Sequence, residues 1–316
     1  MLSRTADNLF WMCRHIERAE NTARMLGVNL TMSLLPRSPQ SLAQSWQAVL
    51  RISELQHAYA DRCGDVDPRT IMQFMVRDAD NPSSIYACIR ACRENARAVR
   101  GSLTTEVWET CNTTWLEMLR LLAEGQLERN PDAFFDWIKF RAHLTRGVMA
   151  GTMLDDEALH FMRLGSHLER ADNTARLLDV KFHEQPDNTS TGGHQAQDFY
   201  RWSAILAAVS GLEVYRKVYR DVISPERVAE LLILRADMPS SLLACMRALS
   251  RDLQHVANQR SRETGRLAGK LRAELEYGRV EDILRAGLHR YLENFLARIN
   301  DLGNRISRDF LVPLTT

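Results

Sequence analysis

HIERAENTAR (residues 15–24) and HLERADNTAR (residues 167–176) are identical at eight of ten positions, and the two differences are Ile for Leu and Glu for Asp. The offset is 152 residues, and the likeness continues in order along the chain. Trp46 and Ala48 recur as Trp202 and Ala204, Tyr59 as Tyr215, and ADNPSSIYACIRA (79–91) as ADMPSSLLACMRA (236–248). The offset grows from 152 to 157 after the first motif, where the second copy carries the Gly-, Asn- and Ser-rich stretch HEQPDNTSTGGHQ (183–195), a loop signal. The sequence therefore reads as two related halves, residues 1–152 and 153–316, packed together as one duplicated helical bundle with pseudo-symmetric halves.

Composition supports an all-α fold. Gly and Pro are scarce at 15 and 9 of 316 residues, strand-like alternation is absent, and Leu, Ala, Arg and Glu are plentiful. Apolar periodicity predicts helices near 6–28, 41–63, 68–78, 83–100, 104–126 and 131–150. The second half gives 155–182, 197–222, 225–235, 240–277 with a break near Gly265–Gly269, and 281–311. Pro68, Pro82, Pro131, Pro225 and Pro239 stand where helices are expected to begin, a position at which proline forfeits no intrahelical hydrogen bond.

Charge and hydropathy narrow the function classes. With 41 Lys+Arg against 40 Asp+Glu the chain has no net field to attract nucleic acid. No run of eighteen apolar residues offers a membrane span, and Arg4, Asp7, Arg14 and Glu17 interrupt the N-terminal stretch before it reaches signal-peptide length. Cys13, Cys63, Cys88, Cys92, Cys111 and Cys245 form no CxxC pair, which fits reduced thiols and a cytoplasmic location. Cys88 and Cys92, one helical turn apart, read as small core residues. The basic positions Arg260, Arg262, Arg266, Lys270 and Arg272 read as a solvated face.

Within the motif helices, Leu9, Met12, Ile16, Ala19, Ala23 and Leu26 step by three and four, as do Phe161, Leu164, Leu168, Ala171, Ala175 and Leu178. Each set is a helix–helix seam, with alanines that permit close approach. At about 100° per residue, Glu17, Glu20, Asn21 and Arg24 fall on one flank of the first seam and His15, Arg18 and Thr22 on the other. Glu169, Asp172, Asn173 and Arg176 repeat the first flank, and His167, Arg170 and Thr174 the second. Glu20–Arg24 and Asp172–Arg176 are i,i+4 pairs, worth only about 0.3–0.5 kcal/mol when exposed. A solvated strip has no need to keep the same polar residues in register through two otherwise divergent copies.

Such a strip can serve in two ways. It can satisfy itself and fix how the halves dock, since buried charges must be paired. Or it can bind a carboxylate or amide substrate, with Glu17 and Glu169 as acid or base and His15, Arg18, Asn21, Arg24, His167, Arg170, Asn173 and Arg176 as ligand contacts. A metal site is not expected: di-iron bundles need Glu-x-x-His on facing helices, whereas the repeated motif has the order His-x-Glu, which sets its side chains about 200° apart on a helix, and no HExxH occurs. No cofactor-binding motif is present. The repeated Asp-x-Pro-Ser-Ser turn reads as a helix start capped by Asp80, Asn81 or Asp237. Its serines, Ser83, Ser84, Ser240 and Ser241, are candidate anion contacts at the helix end.

MLSRTADNLFWMCRHIERAENTARML (1–26), FMRLGSHLERADNTARLLDVKF (161–182) and DNPSSIYACIRACRENARAVR (80–100) together resemble the alpha-E family, bacterial helical proteins of unknown function, over essentially the whole chain. The characteristic glutamates of that family lie in an ERA motif, matched by Glu17 and Glu169. The resemblance implies partners: a circularly permuted ATP-grasp ligase, a transglutaminase-like protein and a proteasome-related peptidase. The chain departs from an exact repeat at Ser166, which stands where Arg14 does in the first copy, and at Met238, which replaces Asn81. The expectation is an auxiliary or scaffold protein that binds the ligase or its peptide substrate. The alternative is an enzyme acting on amide or peptide bonds through paired Glu, Arg and Asn.

Overall fold

Two long helices carry the repeated motif, and the rest of the chain is arranged on them. A computed structural model describes residues 1–34, 39–183 and 194–311, which form sixteen α-helices and one 3-10 turn, with no strand among the described residues. Helix α1 (Ser3–Ser33) and helix α9 (Glu157–His183) lie side by side. They run parallel and nearly in register: the Met1 amino group meets Glu157, Arg14 meets Glu169 and Arg18 meets Glu169. Every seam residue named above is buried, Leu9, Met12, Ala19, Ala23 and Leu26 completely so.

Further helices pack on this pair in matching fashion. Helices α5 (Ile85–Ala98) and α8 (Pro131–Thr152) flank α1, and α6 (Thr105–Ala123) rests on both. Helices α13 (Leu242–His255) and α16 (Leu288–Phe310) flank α9, with α14 (Arg262–Glu276) resting on both. Packing also crosses the midpoint of the chain: α2 (Pro39–Ile52) lies on α9, and α10 (His194–Ala208) on α1. One continuous apolar cluster runs through all of these elements.

The helix boundaries correct the sequence reading at four places. The stretch expected at 41–63 is two helices, α2 and α3 (Gln56–Cys63), and that at 197–222 is α10 and α11 (Leu212–Tyr219). Glu54 and Ser210, both at positive φ, turn the chain at these breaks. The interruption expected near Gly265–Gly269 falls instead at 256–261, where the Asn258 side chain accepts the Arg260 and Ser261 N–H groups. Both glycines lie inside α14. The last expected helix divides into α15 (Val280–Ala286) and α16 at Gly287, whose φ of 95° suits only glycine. Of the loop read at 183–195, residues 184–193 lie outside the described residues.

Three prolines, Pro68, Pro131 and Pro225, open helices α4 (Pro68–Val76), α8 and α12 (Pro225–Ile233) as expected. Pro82 and Pro239 do not. They stand two residues before the N-caps Ser84 and Ser241, whose hydroxyls accept the N–H of Ala87 and Ala244 and donate to the carbonyls of Asp78 and Arg235. Ser84→Ala and Ser241→Ala are each expected to lower stability by about 1–2 kcal/mol in chemical unfolding, because each loses a cap and leaves a carbonyl unpaired.

The seam alanines are fully buried, and a further close approach of the two helices is enforced at Gly165. A Cβ there would overlap the Phe10 carbonyl oxygen and crowd the Arg14 side chain. Backbone cannot yield as a flexible side chain does, so Gly165→Ala is expected to destabilise the fold by about 1–3 kcal/mol despite alanine's better helix propensity, read as a lower unfolding midpoint.

Candidate functional site

Parallel packing of two helices that carry nearly the same decapeptide at the same level brings like residues close together. The motif resolves this by placing Glu and Arg at adjacent positions, on opposite flanks of the seam. Each glutamate then meets the arginine of the other helix, as flanking charges do across a parallel coiled coil. Glu17 accepts two hydrogen bonds from Arg170, 2.7 Å from Nε and 3.0 Å from Nη2. Glu169 accepts the reciprocal pair from Arg18, at 2.5 and 3.0 Å. Both are forked contacts, the strongest geometry available to a carboxylate and a guanidinium.

A second guanidinium completes each glutamate, from a different source. Arg14 on α1 reaches Glu169 at 2.8 Å. Ser166 is too short to do the same for Glu17, and Arg146 of α8 does so at 2.9 Å. The residue 157 positions after Arg146 on α16 is Gly303, where a Cβ would press on Leu168. Both glutamates are almost wholly buried, Glu17 at 2% and Glu169 at 6% exposure. Burial alone would raise the Glu169 carboxyl, but Arg14 and Arg18 hold it down at about 2. Glu17 in turn raises the Arg170 guanidinium, and Glu169 raises that of Arg18 against its own burial.

The neighbouring turn carries the two i,i+4 pairs. Arg24 donates from Nη2 and Nε to one oxygen of Glu20, at 2.6 and 3.0 Å, and Arg176 forks onto both oxygens of Asp172 at 2.7 and 3.0 Å. They are largely buried, unlike the solvated pairs that decorate ordinary helices. Their surroundings differ. Arg146 adds a contact to Glu20 at 2.5 Å, so that against burial Arg146 and Arg24 together keep Glu20 low, whereas burial leaves Asp172 raised despite Arg176. Arg176 also pairs with Glu54, the left-handed residue between α2 and α3. His143 of α8 sits between Arg24 and Arg146, its ring nitrogens 3.0 and 2.7 Å from their guanidiniums.

The remaining candidates divide. His15 and His167 are half-buried, and the buried Nδ1 of each lacks a hydrogen-bond partner. Burial foremost, then nearby arginines, lower them to about 4 and about 3. His15 also packs against Trp11, with ring centroids 5.6 Å apart and planes tilted by 32°. Asn21 Nδ2 is likewise buried without a partner, and Asn173 is half-buried. Thr22 and Thr174 are buried. The turn serines lie apart from this network. Ser84 and Ser241 are fully buried caps, with no hydroxyl left for an external anion. The Ser83 N–H is taken by Asn81, and the Ser240 hydroxyl faces the Val209 carbonyl. The caps expected at Asp80, Asn81 and Asp237 are therefore corrected. Asn81 holds the turn from inside through the Phe74 carbonyl, and the two aspartates pair with Arg62 and Arg235.

Arg146, His143 and Glu54 escaped the sequence reading because they lie outside the repeated words. Arg146 has a glycine at its counterpart, so comparing the halves hides it. The six cysteines are all free, and burial pushes Cys88 and Cys245 up to about 12, as expected of core thiols. Among the described residues no cluster of His, Cys, Asp and Glu is arranged to hold a metal, and no helix is long and apolar enough to cross a membrane.

No solved structure matches the chain. Uncharacterized proteins of Mycobacterium bovis and of Mycobacterium tuberculosis are each 26% identical to it over 95% of its length. The chain spans only 36% of those relatives. The family Alpha-E, described as a predicted alpha-helical domain with a conserved ER motif, matches residues 1–311. Glu17-Arg18 and Glu169-Arg170 are such Glu-Arg pairs, and the chain belongs to the Alpha-E family.

Proposed function

We propose that the chain is a non-catalytic scaffold or auxiliary protein, made of two copies of one helical unit joined near residue 152, in which the Glu-Arg motif locks the copies together. The observation that carries this reading is the saturation of both motif glutamates by reciprocal arginines in the buried interface. A general acid must hold a proton near neutral pH, and a general base must reach substrate. Glu169, held at about 2 and buried under two guanidiniums, is suited to neither. Family resemblance supplies the proposed setting: a cytoplasmic complex with a circularly permuted ATP-grasp ligase that forms amide or peptide bonds, and with the transglutaminase-like protein and peptidase that accompany it. The scaffold binds the ligase or its peptide substrate on outer surfaces, and the motif residues act from inside.

Co-purification of the chain with the ATP-grasp protein tests the partnership. Together they are expected to elute as one complex at about 10 µM of each, a concentration that captures affinities in the micromolar range. Separate elution sinks the scaffold reading. The Glu17→Gln, Glu169→Gln double variant tests the role of the motif. Loss of partner capture in step with loss of fold is expected, whereas a folded, partner-bound variant that forms no ligation product would make the glutamates catalytic.

A further inference from the structure

The surface of the second half holds a cavity of about 320 Å³ between α13 and α14, closed at one end by Phe310 of α16. Such a volume lies at the lower end of small-molecule sites, about 300–1,000 Å³. Its floor is made by Gly265 and Gly269, on consecutive turns of α14, and a Cβ at either would meet nothing within 4 Å. Leu253 of α13, Ala257 of the turn that follows it and the Phe310 ring supply apolar walls. At the back, Ser250 is 5% exposed and its hydroxyl has no hydrogen-bond partner. Arg272 Nε is also buried without a hydrogen bond, its nearest carboxylate Glu276 standing 3.8 Å away and shared with Arg247.

The residues 157 positions earlier show what this groove lacks. The N-caps Thr104 and Ser261 and the buried faces Val107, Cys111, Met118 and Thr264, Ala268, Leu275 set α6 and α14 in that register. There Trp108 stands in place of Gly265 and Asn112 in place of Gly269, while Arg93 replaces Ser250 and donates to Asn112 at 2.8 Å. The Trp108 indole is packed against the core with the Arg100 guanidinium 5.5 Å from its ring. So the first half fills the groove with its own indole and guanidinium, and the second half has neither at the corresponding positions.

We infer that the α13–α14 groove binds a small aromatic carboxylate, either free or as the last residue of a peptide. The ring takes the slot above the two glycines, where the first half places an indole. The carboxylate meets the donors that now lack partners, the Ser250 hydroxyl and Arg272 Nε, with Arg262 at the rim. A buried donor left without an acceptor is costly, and an anion relieves two of them at once. A cationic ligand is disfavoured, since two guanidiniums and no carboxylate line the cavity.

Calorimetric titration of the full chain with N-acetyl-phenylalanine tests this. One saturable site is expected, with a dissociation constant on the order of 1 mM or tighter. The C-terminal amide of the same compound is expected to bind about tenfold more weakly, and so is the parent compound to Arg272→Met. Gly265→Trp, which restores the first half's side chain, should abolish binding. Should that variant fold poorly, Gly269→Ala narrows the slot with less demand on packing and should weaken binding several-fold with an unfolding midpoint no lower than that of the parent chain. Tighter binding of Gly-Gly-Phe than of phenylacetate identifies a peptide end as the ligand, and the reverse a free acid. The inference is overturned by no saturation up to about 10 mM, by equal affinity for the amide, or by undiminished binding to a folded Gly265→Trp.

Discussion

Glu169→Ala lowers the stability of the fold by about 3–5 kcal/mol, the usual cost of removing one partner from a buried ion pair. The substitution strands Arg14 and Arg18, which point into the α1–α9 interface and have Glu169 as their ionic partner. Glu17→Ala acts alike on Arg170, and Arg146 retains Glu20. The Glu169 variant is therefore expected to be the more damaging of the two. Replacing Glu169, Arg14 and Arg18 together by apolar residues of similar volume is expected to recover much of the loss, because a buried charge without a partner costs more than no charge. Urea unfolding monitored by circular dichroism measures each difference, and a loss below about 1 kcal/mol for Glu169→Ala would place that carboxylate in the class of solvated pairs.

Acidification from pH 7 to pH 5 destabilises the protein through His15 and His167. In the unfolded chain both titrate near 6.5, whereas burial first, and then Arg18 beside His15 and Arg170 beside His167, keep them neutral in the fold down to about 4 and about 3. Below about 6.5 the unfolded chain binds protons that the folded chain refuses, so stability rises with pH across this window. It falls on acidification by up to about 1.4 kcal/mol per pH unit for each histidine. Glu169 adds to the loss further down, between about 4.3 and 2, where the unfolded chain again takes up its proton first. His289, raised by Asp179, works in the opposite sense from a half-exposed position and is screened there. Unfolding midpoints at pH 7.5, 6.5 and 5.5 should decline in order. The His15→Gln, His167→Gln double variant should flatten that decline, and a midpoint that holds or rises on acidification would contradict the assignment.

The seam, the helical class and the two i,i+4 pairs were legible in the sequence because they depend on residues a few positions apart. Leu9, Ile16 and Ala23 reveal a buried face by spacing alone, and Glu20 and Arg24 by helical geometry. Relations across the chain were less accessible. That Glu17 meets Arg170 requires α1 and α9 to run parallel at one level, which no local pattern states. The alternation of flanks, with Glu17 on one side and Arg18 on the other, is visible in the sequence and favours a buried network, but spacing alone also admits a ligand site. Arg146 was hidden because it has no counterpart, and Gly165 because its role is set by the Phe10 carbonyl of another helix. Helix breaks at Glu54 and Ser210 were missed for a related reason. Neither is glycine, and the surrounding packing carries the left-handed backbone there.

The reciprocal exchange between α1 and α9 is tested most directly by a double-mutant cycle on Glu17 and Arg170. Glu17→Gln, Arg170→Met and the double variant are unfolded in urea at pH 7, and the coupling free energy is taken from the four stabilities. A coupling of about 2 kcal/mol or more is expected for a buried, forked pair. Additivity within about 0.5 kcal/mol would mean that the two side chains do not depend on one another, and the lock between the motif helices would have to be abandoned.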